Sequence, residues 1–206
     1  IDSGKRLTEN VAKAKNVNDY SIGDTYVARY DGSTGTLYLN GYDGGKISAT
    51  NGSLSIVLEG ENTVTVNGSA GTNFYGIEGN GVDLTIQGSG SLTVNATGTG
   101  NGDCYGIYGK TVAVAGSAAV TVNAKTAKTA THAIYAQSGF STTGSGALKA
   151  ESKGDNNNNA AIGSHENEDM SGDITIGGDA QVTAESGRNG AGIGSGDDGE
   201  MSGDIT

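Results

Sequence analysis

The residues best placed to do chemistry are carboxylates near the end of the chain. The last two Ile-Gly units, Ile162-Gly163 and Ile193-Gly194, lie 31 residues apart. On that register Glu166 stacks on Asp197, Asn167 on Asp198, Asp169 on Glu200, and Asp173 on Asp204. Glu151 and Glu185 also fall on adjacent repeats. Like carboxylates one strand spacing apart repel, so the folded chain must tolerate or neutralise them. A calcium ion would neutralise them, because it takes several hard oxygen ligands. Glu166, Asp169, Asp173, Asp197, Asp198, Glu200 and Asp204 are therefore the candidate metal ligands, with the carbonyls of Gly163, Ser164 and Gly194 to complete a shell. The competing reading is that these loops splay into water and their charges are solvated. The segment is not the nonapeptide calcium repeat of the Gly-Gly-x-Gly-x-Asp type.

Tyrosine forms the second constellation. Tyr75 aligns with Tyr105, and Tyr108 with Tyr135, and His132 continues the first of these columns. An outward tyrosine can lay its ring against the apolar face of a sugar and add a phenolic hydrogen bond. These four are the candidate carbohydrate-binding residues. The alternative is an aromatic ladder that only supports stacking between repeats. A third column, Thr65, Thr93, Thr121 and Thr183, is broken by Lys149. A flat threonine array suits ice, but β-branched residues facing outward from a strand need no ligand to explain them.

Catalytic groups are sparse. A lyase needs a base beside carboxylate-bound calcium, and Arg188 is the arginine within the repeats that stands near Asp197 and Asp198. His132 and His165 lack metal-ligand spacing. Cys104 has no evident histidine partner and reads as a small packing residue. Asn156 to Asn159 reads as a loop tip.

What positions these residues is an internal repeat. Ile56-Val57-Leu58-Glu59-Gly60 precedes Val64-Thr65-Val66-Asn67, and four further strand pairs follow at steps of 28, 28, 28 and 34 residues. A third short element closes each unit: Tyr75-Gly76-Ile77, Tyr105-Gly106-Ile107, His132-Ala133-Ile134, Ala161-Ile162-Gly163 and Gly192-Ile193-Gly194. Three short strands per unit, separated by Gly, Asn and Ser corners, predict an all-β parallel β-helix of three-sided coils. Stacking then buries a face that no single coil can bury alone.

The expected inward columns are Leu58, Ile86, Val114, Thr142 and Ile176 on one face, and Val64, Leu92, Val120, Leu148 and Val182 on the second. Ile77, Ile107, Ile134, Ile162 and Ile193 form the third. Gly60, Gly88, Gly116, Gly144 and Gly178 form a corner column, and Asn67, Asn95 and Asn123 an asparagine ladder.

Residues 1–50 are expected to hold an N-terminal arm, with Leu7 to Lys15 as a short helix or ordered segment, and a β-hairpin cap. In the hairpin Tyr26 to Tyr30 and Thr36 to Leu39 flank Asp31-Gly32-Ser33-Thr34-Gly35. Residues 51–206 are expected to be the coils. Met170-Ser171-Gly172-Asp173-Ile174-Thr175 recurs as Met201-Ser202-Gly203-Asp204-Ile205-Thr206, where the sequence stops, so the helix is expected to be cut within a coil.

Composition narrows the partners. The net charge of −11 argues against nucleic acid or an anionic membrane. It suits neutral sugars and divalent cations. Apolar runs fall short of the roughly 20 residues that span a bilayer. The sequence begins at Ile1 rather than Met, as a processed or partial protein would.

The run Leu37-x-Leu39-Asn40-Gly41-Tyr42-x-Gly44-Gly45-x-Ile47, followed by Leu58-Glu59-Gly60-Glu61-Asn62-Thr63-Val64, resembles carbohydrate-binding β-helix proteins on clostridial and gut-bacterial surfaces. The later Ile193-Gly194-Ser195-Gly196 and Ser202-Gly203-Asp204-Ile205-Thr206 blocks resemble repeats of large secreted surface proteins. The resemblance implies a right-handed β-helix with polysaccharide-lyase-like architecture, located extracellularly or on the bacterial cell surface. It implies glycan and calcium binding, and further repeats or domains of the same protein as partners. No catalytic residue of that family maps onto this sequence. The expectation is thus a non-catalytic carbohydrate-binding protein. A structural stalk or adhesin segment and a calcium-dependent polysaccharide lyase are the alternatives.

Overall fold

A computed structural model describes residues 20–22, 25–69, 71–126, 129–154, 160–165, 168–187, 190–196 and 199–206. The expected segment Leu7 to Lys15 lies outside them. The described residues form only strands and turns. β1 (Tyr20–Ile22) pairs antiparallel with β2 (Thr25–Asp31), and β2 pairs antiparallel with β3 (Thr36–Asn40). The Asp31–Gly35 turn is fixed by the Asp31 carboxylate, which accepts from the Ser33 amide at 2.9 Å. This is the expected hairpin. Its second strand already belongs to the stack, because β3 pairs in parallel with β6 (Leu54–Glu59). Parallel stacking thus begins at Thr36.

Between them β4 (Asp43–Gly44) and β5 (Ile47–Ser48) complete the first turn. The stack then continues through β7 (Glu61–Gly68), β8 (Phe74–Gly88), β9 (Ser91–Gly98), β10 (Cys104–Gly116) and β11 (Ala119–Thr126). It ends with β12 (Thr131–Ala136), β13 (Phe140–Gly144), β14 (Ala147–Gly154), β15 (Ile162–Gly163), β16 (Ile174–Ile176), β17 (Gln181–Glu185) and β18 (Ile193–Gly194). All pairings after the hairpin are parallel, giving about five turns of a parallel β-helix. β8 and β10 run through a corner, so the first and third faces join into one sheet, and the second face (β4, β7, β9, β11, β14, β17) forms another.

The isoleucine column of the third face forms as expected and gains Ile47 at its start. The other two columns are corrected at their first member. The step from the first unit to the second is 30 residues, so Ile56 pairs with Ile86, Val64 with Val94, and Asn62 with Leu92. The matching segments are Leu54-Ser55-Ile56 and Leu84-Thr85-Ile86. The Leu-Glu-Gly of one unit and the Ile-Gln-Gly of the next are a local likeness without register. The shorter step first occurs at Lys110, which stands where the coil before it has Asn80-Gly81-Val82; the register shifts there. A slip of two residues preserves inside–outside alternation, so the inward residues remain inward and only their partners change. The asparagine ladder contracts to Asn95 and Asn123, whose side-chain amides bond at 2.9 Å, while Asn67 pairs with Thr97. The outward threonine column runs through Thr63 rather than Thr65.

The corner column holds in conformation. Gly60, Gly88, Gly116, Gly144 and Gly178 all have positive φ, a region that a Cβ disfavours. Gly88, however, pairs with Leu58 rather than stacking on Gly60.

The first inward column carries a polar residue with an unpaired hydroxyl. Thr142 stands between Val114 and Ile176, is 2% exposed, and its hydroxyl meets no hydrogen-bond partner among the described residues. It adjoins a cavity of about 10 Å³ lined by Val114, Gly146 and Leu148. A buried unpaired hydroxyl costs about 1–3 kcal/mol. Thr142→Val, which keeps the shape, is expected to stabilise the fold by about 1 kcal/mol in denaturant titration. A loss of stability would show that the hydroxyl has a partner in solution.

Candidate functional site

The four tyrosines come together on the third face, and glycine explains how. Gly76 and Gly106 point inward, since a Cβ on either would meet Val94 or Val122 in the core. Ile77 and Ile107 point inward as well and are fully buried. Two consecutive inward residues break the alternation of the strand. Residues three apart, such as Tyr105 and Tyr108, therefore share the outward side.

The rings build two interlocked columns. Tyr75 stacks on Tyr105 with centroids 5.1 Å apart and planes 9° from parallel. Tyr105 stacks in turn on His132 at 5.3 Å and 3°. Tyr108 stacks on Tyr135 at 4.8 Å and 3°. The columns meet edge to face, with Tyr105 lying 5.2 Å from Tyr108 and 5.6 Å from Tyr135. Both geometries suit the ring quadrupole. Lys46 covers the far face of the first column, its Nζ 5.1 Å from the Tyr75 centroid, and it also pairs with Glu78. His165 follows His132 at 5.3 Å, tilted by 35°.

This packing corrects the expectation of four open rings. Tyr105 is 5% exposed and Tyr135 6% exposed. Both faces of Tyr105 are occupied, one by Tyr75 and one by His132. A sugar cannot stack on it. Only Tyr75 and Tyr108 remain half-buried. The outward sides of β10 and β12 are thus partly covered by their own aromatic contacts and by the segment after β15.

That segment is tied down by polar groups. The Tyr135 phenol donates to the Glu168 carboxylate, and the Ser164 hydroxyl donates to the Glu168 carbonyl at 2.8 Å. His165 Nε2 lies 3.9 Å from Asp103 Oδ2. Burial pushes the phenols of Tyr105 and Tyr135 up; for Tyr135 the bond to Glu168 adds to the effect. These phenols stay protonated donors. The Asp103 carboxyl is held below its usual range, first by its hydrogen bond with His165. Sequence reasoning missed Asp103, Glu168, Lys46 and Glu78, and it placed no role on His165. The only hint was the run of His132 and His165 at roughly one coil's spacing, which does not disclose contact.

The carboxylates on the late coils have a different arrangement. The expected register holds: Met170 bridges Met201 and Ile174 bridges Ile205, placing Asp169 beside Glu200 and Asp173 beside Asp204. Yet Asp169 Oδ1 accepts the Glu200 amide at 2.9 Å, and Asp173 Oδ1 accepts the Asp204 amide at 2.9 Å. The same device recurs on the early coils, where Asn73 accepts the Asp103 amide at 3.0 Å and Asp103 accepts the Ala130 amide at 3.2 Å. At corners without a regular ladder, an Asx side chain satisfies a backbone N–H of the next coil. Among the described residues no three Asp, Glu, His or Cys side chains converge in a way that could hold a metal. Of the expected ligands, Asp169, Asp173, Glu200 and Asp204 lie in two cross-coil pairs, Asp169 beside Glu200 and Asp173 beside Asp204. Glu166, Asp197 and Asp198 lie outside the described residues, as does Arg188.

The remaining nucleophile is a packing residue. Cys104 is buried with Phe74, Ala96 and Ala124 in a small second cluster, and burial raises its thiol to about 11. Glu151 and Glu185 pair across coils as expected, with Lys149 and Lys153 compensating Glu151.

Comparison with protein-family models, with curated proteins and with solved structures finds no match to this protein.

Proposed function

We propose that the protein is a non-catalytic β-helix of the bacterial exterior that binds polysaccharide through the edge of its aromatic strip. The observation that carries this reading is the half-buried pair Tyr75 and Tyr108, whose rings lie 5.3 Å apart at 75°. Lys46, Ser48 and Glu78 rim the pair, with Ser48 donating to Glu78 at 3.0 Å. Ring edges, hydroxyls and charges on one strip suit sugar hydroxyls better than they suit a stacked sugar ring. Coils repeat about every 4.8 Å along the axis, so an extended glycan lying across them meets successive coils in turn.

A second reading has its own support. Most of the candidate side chains are engaged between coils, as the Asx contacts and ring stacks show. That is what a rigid stalk or adhesin segment needs.

Binding to a panel of plant, host and bacterial polysaccharides separates the two. Tyr75→Phe and Tyr108→Phe keep the rings and remove the hydroxyls. The glycan reading expects wild-type binding that falls about tenfold in the double variant, equivalent to about 1.4 kcal/mol. Binding unchanged by the variant moves the contact elsewhere. No binding to any glycan leaves the stalk. Running the same samples with calcium and with chelator tests the expected cation, which would raise the melting temperature if bound.

A further inference from the structure

The coil containing β8 turns its corner through Asn80-Gly81-Val82, two residues more than the single Lys110 of the next coil. Asn80 and Gly81 are exposed, and among the described residues no strand partner is assigned to them on either neighbouring coil. Gly81 has φ 69°, and a Cβ there would meet nothing within 4 Å. An asparagine followed by an unhindered glycine outside a ladder has the freedom that attack on its side-chain amide by the backbone requires.

We propose that Asn80 is a self-modification site, converting to aspartate and isoaspartate without an enzyme. The Gly81 backbone nitrogen bonds to Asn80 Cγ and gives up its proton. The Asn80 Cγ–Nδ2 bond breaks and ammonia leaves with that proton, closing a five-membered succinimide. Water then opens the ring at either carbonyl, giving aspartate or isoaspartate. The product adds a negative charge two residues from Glu78, beside the aromatic strip. The isoaspartate form also lengthens the backbone by one methylene, at a corner whose length already varies between coils.

Asn51-Gly52 shares these features, being exposed at a bend, with Gly52 at φ 70° and open space around it, and is expected to convert alongside Asn80. Elsewhere the fold supplies its own controls. Asn67-Gly68 has the same sequence but is paired residue for residue with Thr97 and Gly98, and the Phe74 ring occupies the space beside Gly68. In Asn101-Gly102 the glycine is buried, and its carbonyl accepts the Thr129 hydroxyl at 2.7 Å. Asn40 is paired with Glu59, and its Oδ1 packs against Gly60.

The test is incubation of the folded protein in mildly alkaline buffer, followed by peptide mapping. Conversion adds about 1 Da. The Asn80 peptide is expected to convert about tenfold faster than those of Asn67 and Asn101, since ladder pairing at Asn67 and the buried, hydrogen-bonded Gly102 after Asn101 suppress local opening. In urea all three should convert alike. The proposal fails if Asn80 lags either control in the folded protein. It also fails if Asn80→Gln leaves the early mass change of the peptide carrying residue 80 in place.

Discussion

Tyr105→Ala is expected to lower stability by about 3–5 kcal/mol, the range for truncating a buried aromatic residue. The ring is 5% exposed and sits in contact with four other rings. Its removal leaves Tyr75 and His132 facing a gap, one coil on either side. For a protein of this size such a loss lowers the melting temperature by on the order of 10 °C. Tyr108→Ala should cost less, because that ring is already half in solvent. Denaturant melts of the two variants measure the difference. The result bears on function. A ring that acts as a strut and a ring that contacts ligand both abolish binding when cut to alanine, and only the strut lowers stability this far. If Tyr105→Ala loses less than about 1 kcal/mol and also abolishes glycan binding, the ring is a ligand contact and the packing described above is not its main role.

The coil architecture was readable because inward residues alternate at a fixed period and recur at the same place in each unit. The hairpin was readable because Asp31 to Gly35 is a turn between alternating runs. Two features were not. The first is the 30-residue step. Registers differing by two residues place the same face inward, so hydrophobic pattern alone does not choose between them, and the choice rests on the length of one corner. The second is the burial of Tyr105 and Tyr135. Alternation from the inward Ile134 puts Tyr135 outward, and the break at Gly106-Ile107 turns Tyr105 outward too, but outward on a stacked helix is not the same as exposed. Rings on adjacent coils stand about 5 Å apart, within stacking distance, so an outward aromatic column covers itself. The acidic residues teach the same lesson. The register of Asp169 with Glu200 and of Asp173 with Asp204 was correct, while the role of Asp169 and Asp173 as acceptors for the next coil's amides depends on corners that offer N–H groups without a ladder partner.

Gly106→Ala is expected to destabilise by about 2–3 kcal/mol, an overpacking cost out of proportion to one methyl group. A Cβ at this position would overlap Val122 Cγ1 and lie 2.6 Å from the Ala133 carbonyl oxygen. Val122 is β-branched and fully buried, so it has little room to rotate. The rest of the column shows how the fold handles this contact. Gly76 and Gly106 face Val94 and Val122. On the next coil the register places Ala133 where Gly106 stood and Ala150 where Val122 stood. Glycine thus goes with valine and alanine with alanine, so the inward pair trades volume between its members while each coil keeps a similar width. The double variant Gly106→Ala/Val122→Ala should therefore recover part of the loss, since it recreates the pair already present one coil later. Recovery should be incomplete: the Ala133 carbonyl still crowds the new Cβ, and trimming valine opens a small cavity. A coupling energy of about 1 kcal/mol or more in a double-mutant cycle, with the sign of compensation, is the expected result. Additive losses would mean that the clash is with the neighbouring backbone alone and that the glycine–valine pairing is incidental.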